Sequence, residues 1–232
     1  MLGHKILFEV KMKNVKMKFT TVILLLVFSF VVCTVLVYAA ANPTANEIIE
    51  KVQAKYKKTN SAIAKYTQTV QFKLTKMEQS YDGTLFLKKE KKYRIETDQQ
   101  TIITDGITSW AYSPKTNQVV IDYYKEDKNS ISPEKFLTEY PDDYYSSLVG
   151  KVKVNNRDTY EMKLTPKANT SFIKSLKVWV DSGDWFIKKI EMTDMNDNTT
   201  VYVVNKIESN TEINNDKFQF TPTPETQVID LR

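Results

Sequence analysis

Acid–base chemistry on a sugar needs two carboxylates facing across a cleft, and Asp142-Asp143, Glu126-Asp127 and Asp122 are the candidates. Their neighbours are polar and turn-forming, the setting of a solvated surface. Nucleophilic and metal chemistry has less to work with. The only histidine, His4, and the only cysteine, Cys33, lie in an N-terminal leader. Beyond it no Ser-His-Asp or Cys-His system, no His- or Cys-ligated zinc and no disulfide can be assembled. Gly83, Gly106, Gly150 and Gly183 stand singly, so no glycine-rich loop cradles a phosphate. The expectation is a protein that is not an enzyme and uses no metal or cofactor.

Aromatic surface is abundant instead: beyond residue 41 the chain keeps three Trp, twelve Tyr and seven Phe, many at alternate positions. Any one of them reads as core. Together they exceed what two or three helices can cover on a single curved sheet, so an apolar cavity or groove with a movable cover is expected.

The elements that must position these side chains begin with the leader. Lys5, Lys11, Lys13, Lys16 and Lys18 precede a charge-free, mostly apolar run from Phe19 to Ala41 that ends in Ala39-Ala40-Ala41. This is the pattern of an export signal cut after Ala39 or Ala41. The run is also long enough for an uncleaved anchor. Val31-Val32 before Cys33 lack the small residue that lipoprotein processing needs, and Met12 or Met17 offer alternative starts. Losing five lysines and Glu9 takes the net charge from +5 to +1, which argues against a nucleic-acid partner. Residues 42–232 are expected to form one domain in the periplasm.

Thr44-Ala45-Asn46-Glu47 has capping-box spacing, and Ile48, Ile49, Val52 and Tyr56 share one face, which predicts a helix over 45–58. From Ala64 the period becomes two, with Tyr66, Gln68, Val70, Phe72 and Leu74 on one face. Similar alternation recurs at 83–88, 93–96, 109–112, 119–123, 152–154, 159–165, 175–181, 185–193 and 200–207. Asp105-Gly106, Pro114 to Asn117, Asn155-Asn156 and Ser182-Gly183-Asp184 supply turns. About eleven strands result, nearly all suited to antiparallel neighbours. Ser132-Pro133-Glu134, followed by Phe136, Leu137 and Tyr140, predicts a short helix; residues 142–147 extend it or form a loop.

The stretch Thr104-Asp105-Gly106-Ile107-Thr108-Ser109-Trp110-Ala111-Tyr112-Ser113-Pro114, continuing to Gln118-Val119, resembles the signature of LolA-type outer-membrane lipoprotein carriers. Tyr66-Thr67-Gln68, Gly83 to Lys89, and Phe218-Gln219-Phe220-Thr221-Pro222 follow the same pattern in the same order. Two departures stand out: Lys89-Glu90 replaces the family's Arg-Pro, and Ser109 replaces a leucine.

The resemblance implies a mainly β fold with a few helices: an incomplete, half-open antiparallel β-barrel of about eleven strands under an α-helical lid over an apolar cavity. It implies a periplasmic carrier that takes acylated lipoproteins from a LolCDE-type inner-membrane transporter to a LolB-like outer-membrane acceptor, working as a monomer. An envelope-stress sensor or lipid-binding regulator on the same half-barrel is the alternative. The residues expected to line the cavity are Phe72, Leu74, Leu85, Leu87, Tyr93, Ile95, Trp110, Tyr112, Val178, Val180, Ile190 and Met192. Phe136 and Leu137 are expected in the lid, and Lys89 stands where the family has a lid-closing arginine.

Overall fold

Helix α1 (Ala45–Lys57) starts where the sequence predicts, because Thr44 and Glu47 cap each other. The Thr44 amide donates to Glu47 Oε2 at 2.7 Å and the Glu47 amide donates to Thr44 Oγ1 at 3.3 Å. Backbone and side-chain hydrogen bonds from Thr44 hold the Glu47 carboxyl below its usual range. The computed structural model describes residues 42–125, 143–168 and 171–232, and within it Thr44–Arg232 form one compact unit. The helix expected around Phe136 and Leu137 lies outside the described residues, as do Glu126, Asp127 and Asp142.

After α1 come β1 (Ser61–Gln71), β2 (Glu78–Lys88), β3 (Lys92–Thr97), β4 (Thr101–Thr104), β5 (Thr108–Ser113) and β6 (Gln118–Tyr123). They are followed by β7 (Tyr144–Val154), β8 (Arg157–Pro166), β9 (Ile173–Asp181), β10 (Ile187–Asp194), β11 (Thr199–Ser209), a 3-10 turn (Asn215–Phe218) and β12 (Gln227–Asp230). All twelve described strands join one open sheet in the order β12-β6-β5-β4-β3-β2-β1-β11-β10-β9-β8-β7. It is not closed into a barrel. Every pairing is antiparallel except β12 with β6, which is parallel.

Cross-strand partners share a face, so the register assigns every side chain to one of two surfaces. On the inner face, Ile48 and Val52 of α1 pack against Tyr144, Tyr160, Met162, Leu164, Leu176, Val178 and Val180. The helix therefore seals the β7–β10 part of that face. The outer face is covered elsewhere, by the C-terminal segment. Phe218 is fully buried there, Lys217 Nζ lies 4.2 Å from the Phe86 ring centroid and 2.9 Å from Glu96 Oε1, and Phe220 packs on Tyr112 at 4.8 Å between centroids.

Turn chemistry sets the register. Asn155 and Asn156 both take the left-handed conformation (φ 47° and 62°) that a two-residue hairpin requires. Asp105 Oδ1 accepts from the amides of Ile107 and Thr108 at 2.9 and 2.8 Å. Gly106 has φ +93°, and a Cβ there would overlap the Glu90 carbonyl oxygen. At the β9–β10 turn, Asp181 accepts from the amides of Gly183 and Asp184 and from Arg157 Nε at 2.7 Å.

Several elements differ from the sequence reading. Tyr144 to Ser147 belong to a strand, with Tyr144, Ser146 and Leu148 facing inward. Trp185 sits in a turn at φ 62° and stacks on Tyr160 at 5.9 Å. Strands β4 and β12 are additional: Ile102-Ile103 carries no alternation, and Val228 gains its place by pairing with the sheet edge.

Burial would raise the Asp181 carboxyl, but the Arg157 guanidinium, the two turn amides and Lys188 outweigh it and bring it down to about 2. Its ordinary value is 3.8, so the stabilisation is present above that pH and disappears as pH falls towards the lowered value. With Arg157 half exposed, about 1–2 kcal/mol is expected. Urea titrations should show the stability gap between the parent and Asp181→Asn shrinking by that amount from about pH 6 to about pH 2. Gly106→Ala should cost more than about 1 kcal/mol at every pH.

Candidate functional site

An apolar groove opens on the inner face beside α1, where no helix among the described residues covers β1 to β4 and β11. Its volume is about 330 Å³, at the small end of ligand pockets, which span roughly 300–1,000 Å³. Ala62 and Ala64 of β1 line it, flanked by Leu85 and Leu87 of β2, Ile95 of β3 and Ile102 of β4 on one side. On the other side stand Tyr202, Val204 and Ile207 of β11 and Ile187 and Ile190 of β10; Tyr56 of α1 contributes a further wall. Gln68, Thr97 and Gln100 supply polar groups.

The two alanines matter because their cross-strand neighbours are large. Ala64 lies between Leu85 and Ile207, and Ala62 is opposite Leu87. Longer side chains there would occupy the hollow. Gly83 serves the same end differently: the Tyr66 ring lies over it, where a Cβ would collide with the ring. Tyr66 packs on Tyr202 with centroids 6.0 Å apart.

Among the described residues the walls carry no charged side chain. Burial, with a contribution from Tyr202, pushes the Tyr66 phenol up to about 12. Burial also raises Tyr56 and Tyr202. These phenols stay protonated at any physiological pH, so the groove offers dispersion contacts and hydrogen bonds but no charged base or acid. Of the sequence's carboxylate candidates, Asp122 accepts from its neighbour Tyr123's amide at 2.7 Å and pairs with Lys125 at 3.2 Å. No cluster of three or more metal-ligating side chains occurs among the described residues.

The structure distributes the twelve expected cavity residues among several places. Leu85, Leu87, Ile95 and Ile190 line the groove. Tyr93 shares the inner face with Leu87 and meets Tyr124 edge-on at 6.3 Å. Val178 and Val180 lie on that face in the core beneath α1, and Met192 packs against this core. Phe72 and Leu74 are in the β1–β2 connection, Leu74 almost wholly exposed.

Trp110 and Tyr112 are on the opposite surface. Trp110 pairs with Ile103, Ile103 with Arg94, and Arg94 with Phe86, all on the outer face. Tyr112 donates to Asn117 Oδ1 at 3.2 Å, while Asn117 Nδ2 donates to the Glu225 carbonyl and its own carbonyl accepts from the Gln227 amide. The sequence signature thus docks the C-terminal segment. Lys89 is exposed in the β2–β3 turn, its amide donating to the Asn60 carbonyl.

The sequence reading missed Tyr66 and the alanines as groove residues, although Tyr66 stands in the same alternating row as Phe72. Ala62 and Ala64, two positions apart in that row, were the available signal of space.

The sequence matches the family model described as outer membrane lipoprotein carrier protein LolA over residues 57–221. The chain belongs to the LolA family. An outer-membrane lipoprotein carrier protein of Haemophilus influenzae (strain PittEE) is 28% identical over 195 residues, covering 83% of this chain and 91% of that protein. An uncharacterized protein of Methanocaldococcus jannaschii is also 28% identical, over 77% of this chain but 51% of its own length. In fold the chain is similar to an uncharacterized conserved protein from Thermus thermophilus, with TM-score 0.55 and 13% identity over 80% of this chain and 98% of that one. The LolA family is one of carriers, and the apolar, uncharged groove is consistent with its membership.

Ala64→Phe tests whether the hollow is space or packing. It should weaken binding of an environment-sensitive apolar dye at least about fivefold while moving Tm by less than about 4 °C, since a ring entering free volume avoids the roughly 1–3 kcal/mol of overpacking.

Proposed function

We propose that residues 1 to about 41 are removed on export and that residues 42–232 carry lipoproteins through the periplasm, holding acyl chains in the groove. In this reading cargo comes from a LolCDE-type transporter and passes to a LolB-like acceptor. The observation that supports it is the apolar stretch of inner face that no described helix covers: Leu85, Leu87, Ile95, Ile102 and Tyr202 bound a hollow with no charged side chain among its described lining residues.

A carrier must also release. A chain of about fifteen methylenes fully buried at ~0.8 kcal/mol each would be held by roughly 12 kcal/mol, too tightly for transfer. A groove of 330 Å³, open on one side and bordered by Gln68, Thr97 and Gln100, buries less than that. The partial burial leaves a difference that an acceptor can exceed. Phe136 and Leu137 enter this reading as cover for the empty groove, and Lys89 as their fastening. A lysine presents a single hydrated ammonium where an arginine presents a fork of donors, so Lys89→Arg should speed stopped-flow release of an acylated peptide and Lys89→Ala should slow it.

The direct test is displacement. A triacylated peptide should expel the dye, and its unacylated form should not; equal displacement by both would end the acyl-chain reading. The intact mass of the protein in an osmotic-shock fraction should correspond to loss of about 41 residues.

A further inference from the structure

The end of the sheet formed by the β1–β2 connection and the β10–β11 turn gathers exposed apolar side chains. Leu74 is 94% exposed, Met77 53%, Phe172 57% and Met195 58%. They are held near one another: the Lys73 amide donates to Asn198 Oδ1 at 3.1 Å, and the Met195 amide donates to the Phe172 carbonyl at 3.2 Å. The hairpin projects on its β2 side, because Glu78 to Asp82 pair with β1 while β3 ends at Thr97, opposite Gly83. At about 3.4 Å per residue this is roughly 17 Å of projecting strand. Soluble proteins seldom leave such a cluster bare without a use.

The charge at this end has a pattern. Lys73 and Lys76 flank Leu74, both exposed, and residues 72–77 contain no carboxylate. The nearby acids already have partners, although Asp197, paired chiefly with Lys174, also feels the charge of Lys73. Glu78 Oε2 accepts from Gln71 at 2.9 Å, Asp194 Oδ1 accepts from the amides of Asn196 and Asn198, and Asp197 pairs with Lys174 at 2.5 Å. Apolar tips between lysines match the layering of an anionic bilayer, where phosphates lie above acyl chains. The inner-face row Tyr66, Gln68, Val70 runs from the groove along β1 to this tip.

We propose that this end of the sheet docks on anionic lipid surfaces, with Leu74 and Met77 entering the headgroup region and Lys73 and Lys76 meeting the phosphates. The inference rests on the carrier reading for its purpose, since it brings one end of the groove's strand to the membrane where cargo is exchanged. Residues 42–232 contain the whole Thr44–Arg232 unit and its core, and are the chain to use. In cosedimentation they should bind vesicles of phosphatidylglycerol and phosphatidylcholine in equal parts, and bind phosphatidylcholine alone at least about fivefold more weakly.

Leu74→Ser/Met77→Ser should weaken binding to the mixed vesicles about tenfold. Lys73→Gln/Lys76→Gln should weaken it several-fold and flatten its salt dependence. Both variants should keep the parent's circular dichroism and dye binding in the groove. Absence of parent binding to the mixed vesicles, or variants that bind like the parent, would overturn the docking site. Dye displacement by acylated peptide reports on the groove separately, so failure of one reading does not pass for failure of the other.

Discussion

Twelve strands about 4.8 Å apart make a sheet roughly 50 Å wide, whereas a thirteen-residue helix is about 20 Å long and can bridge some four strands. Ile48 and Val52 of α1 do this over β7 to β10, and their cluster stops there. Elsewhere on the inner face the described residues place no second helix, and the strands carry Leu85, Ile95 and Tyr202 towards a hollow. The mismatch between sheet width and helix length makes the groove. Side-chain size then shapes it, with Ala62 and Ala64 leaving the space that Leu85, Leu87 and Ile207 border.

The outer face of the same strands solves its burial problem with irregular chain. Arg94, Glu96 and Lys217 form a charged cluster in which burial would raise the Glu96 carboxyl, while hydrogen bonds from Lys217 and Arg94 bring it down instead. Phe218 and Phe220 supply the apolar cover, and Asn117 joins the tail to the β5–β6 turn. With β2 to β6 supported from behind, the sheet does not need a described helix over their inner side chains to hold together. The most recognisable motif of the chain, Trp110 to Pro114, belongs to this support.

Legibility in the sequence follows the strength of local signals. The Thr44-Glu47 box, the Asn155-Asn156 hairpin and the long alternations of β1 and β8 are readable because each depends on neighbours within a few residues. Facing is less accessible. Alternation says that Trp110 and Tyr112 share a side, but only their pairing with β4 and β6 says which, and β4 itself is four residues with adjacent isoleucines. Strand β12 depends wholly on a distant partner, Gln118 to Ile121. The groove follows from the excess of apolar strand positions over helices, while its particular lining depends on register.

Acyl chains held in the groove would lie on one face of β1 to β4, with the signature aromatics on the other. The most direct measurement is paramagnetic broadening of side-chain NMR signals by a nitroxide carried on the acyl chain of a bound lipopeptide. Methyl signals from Leu85, Leu87, Ile95 and Ile102 should be lost with the Trp110 indole N–H retained; broadening at Trp110 and Tyr112 with those methyls intact would contradict binding in the groove.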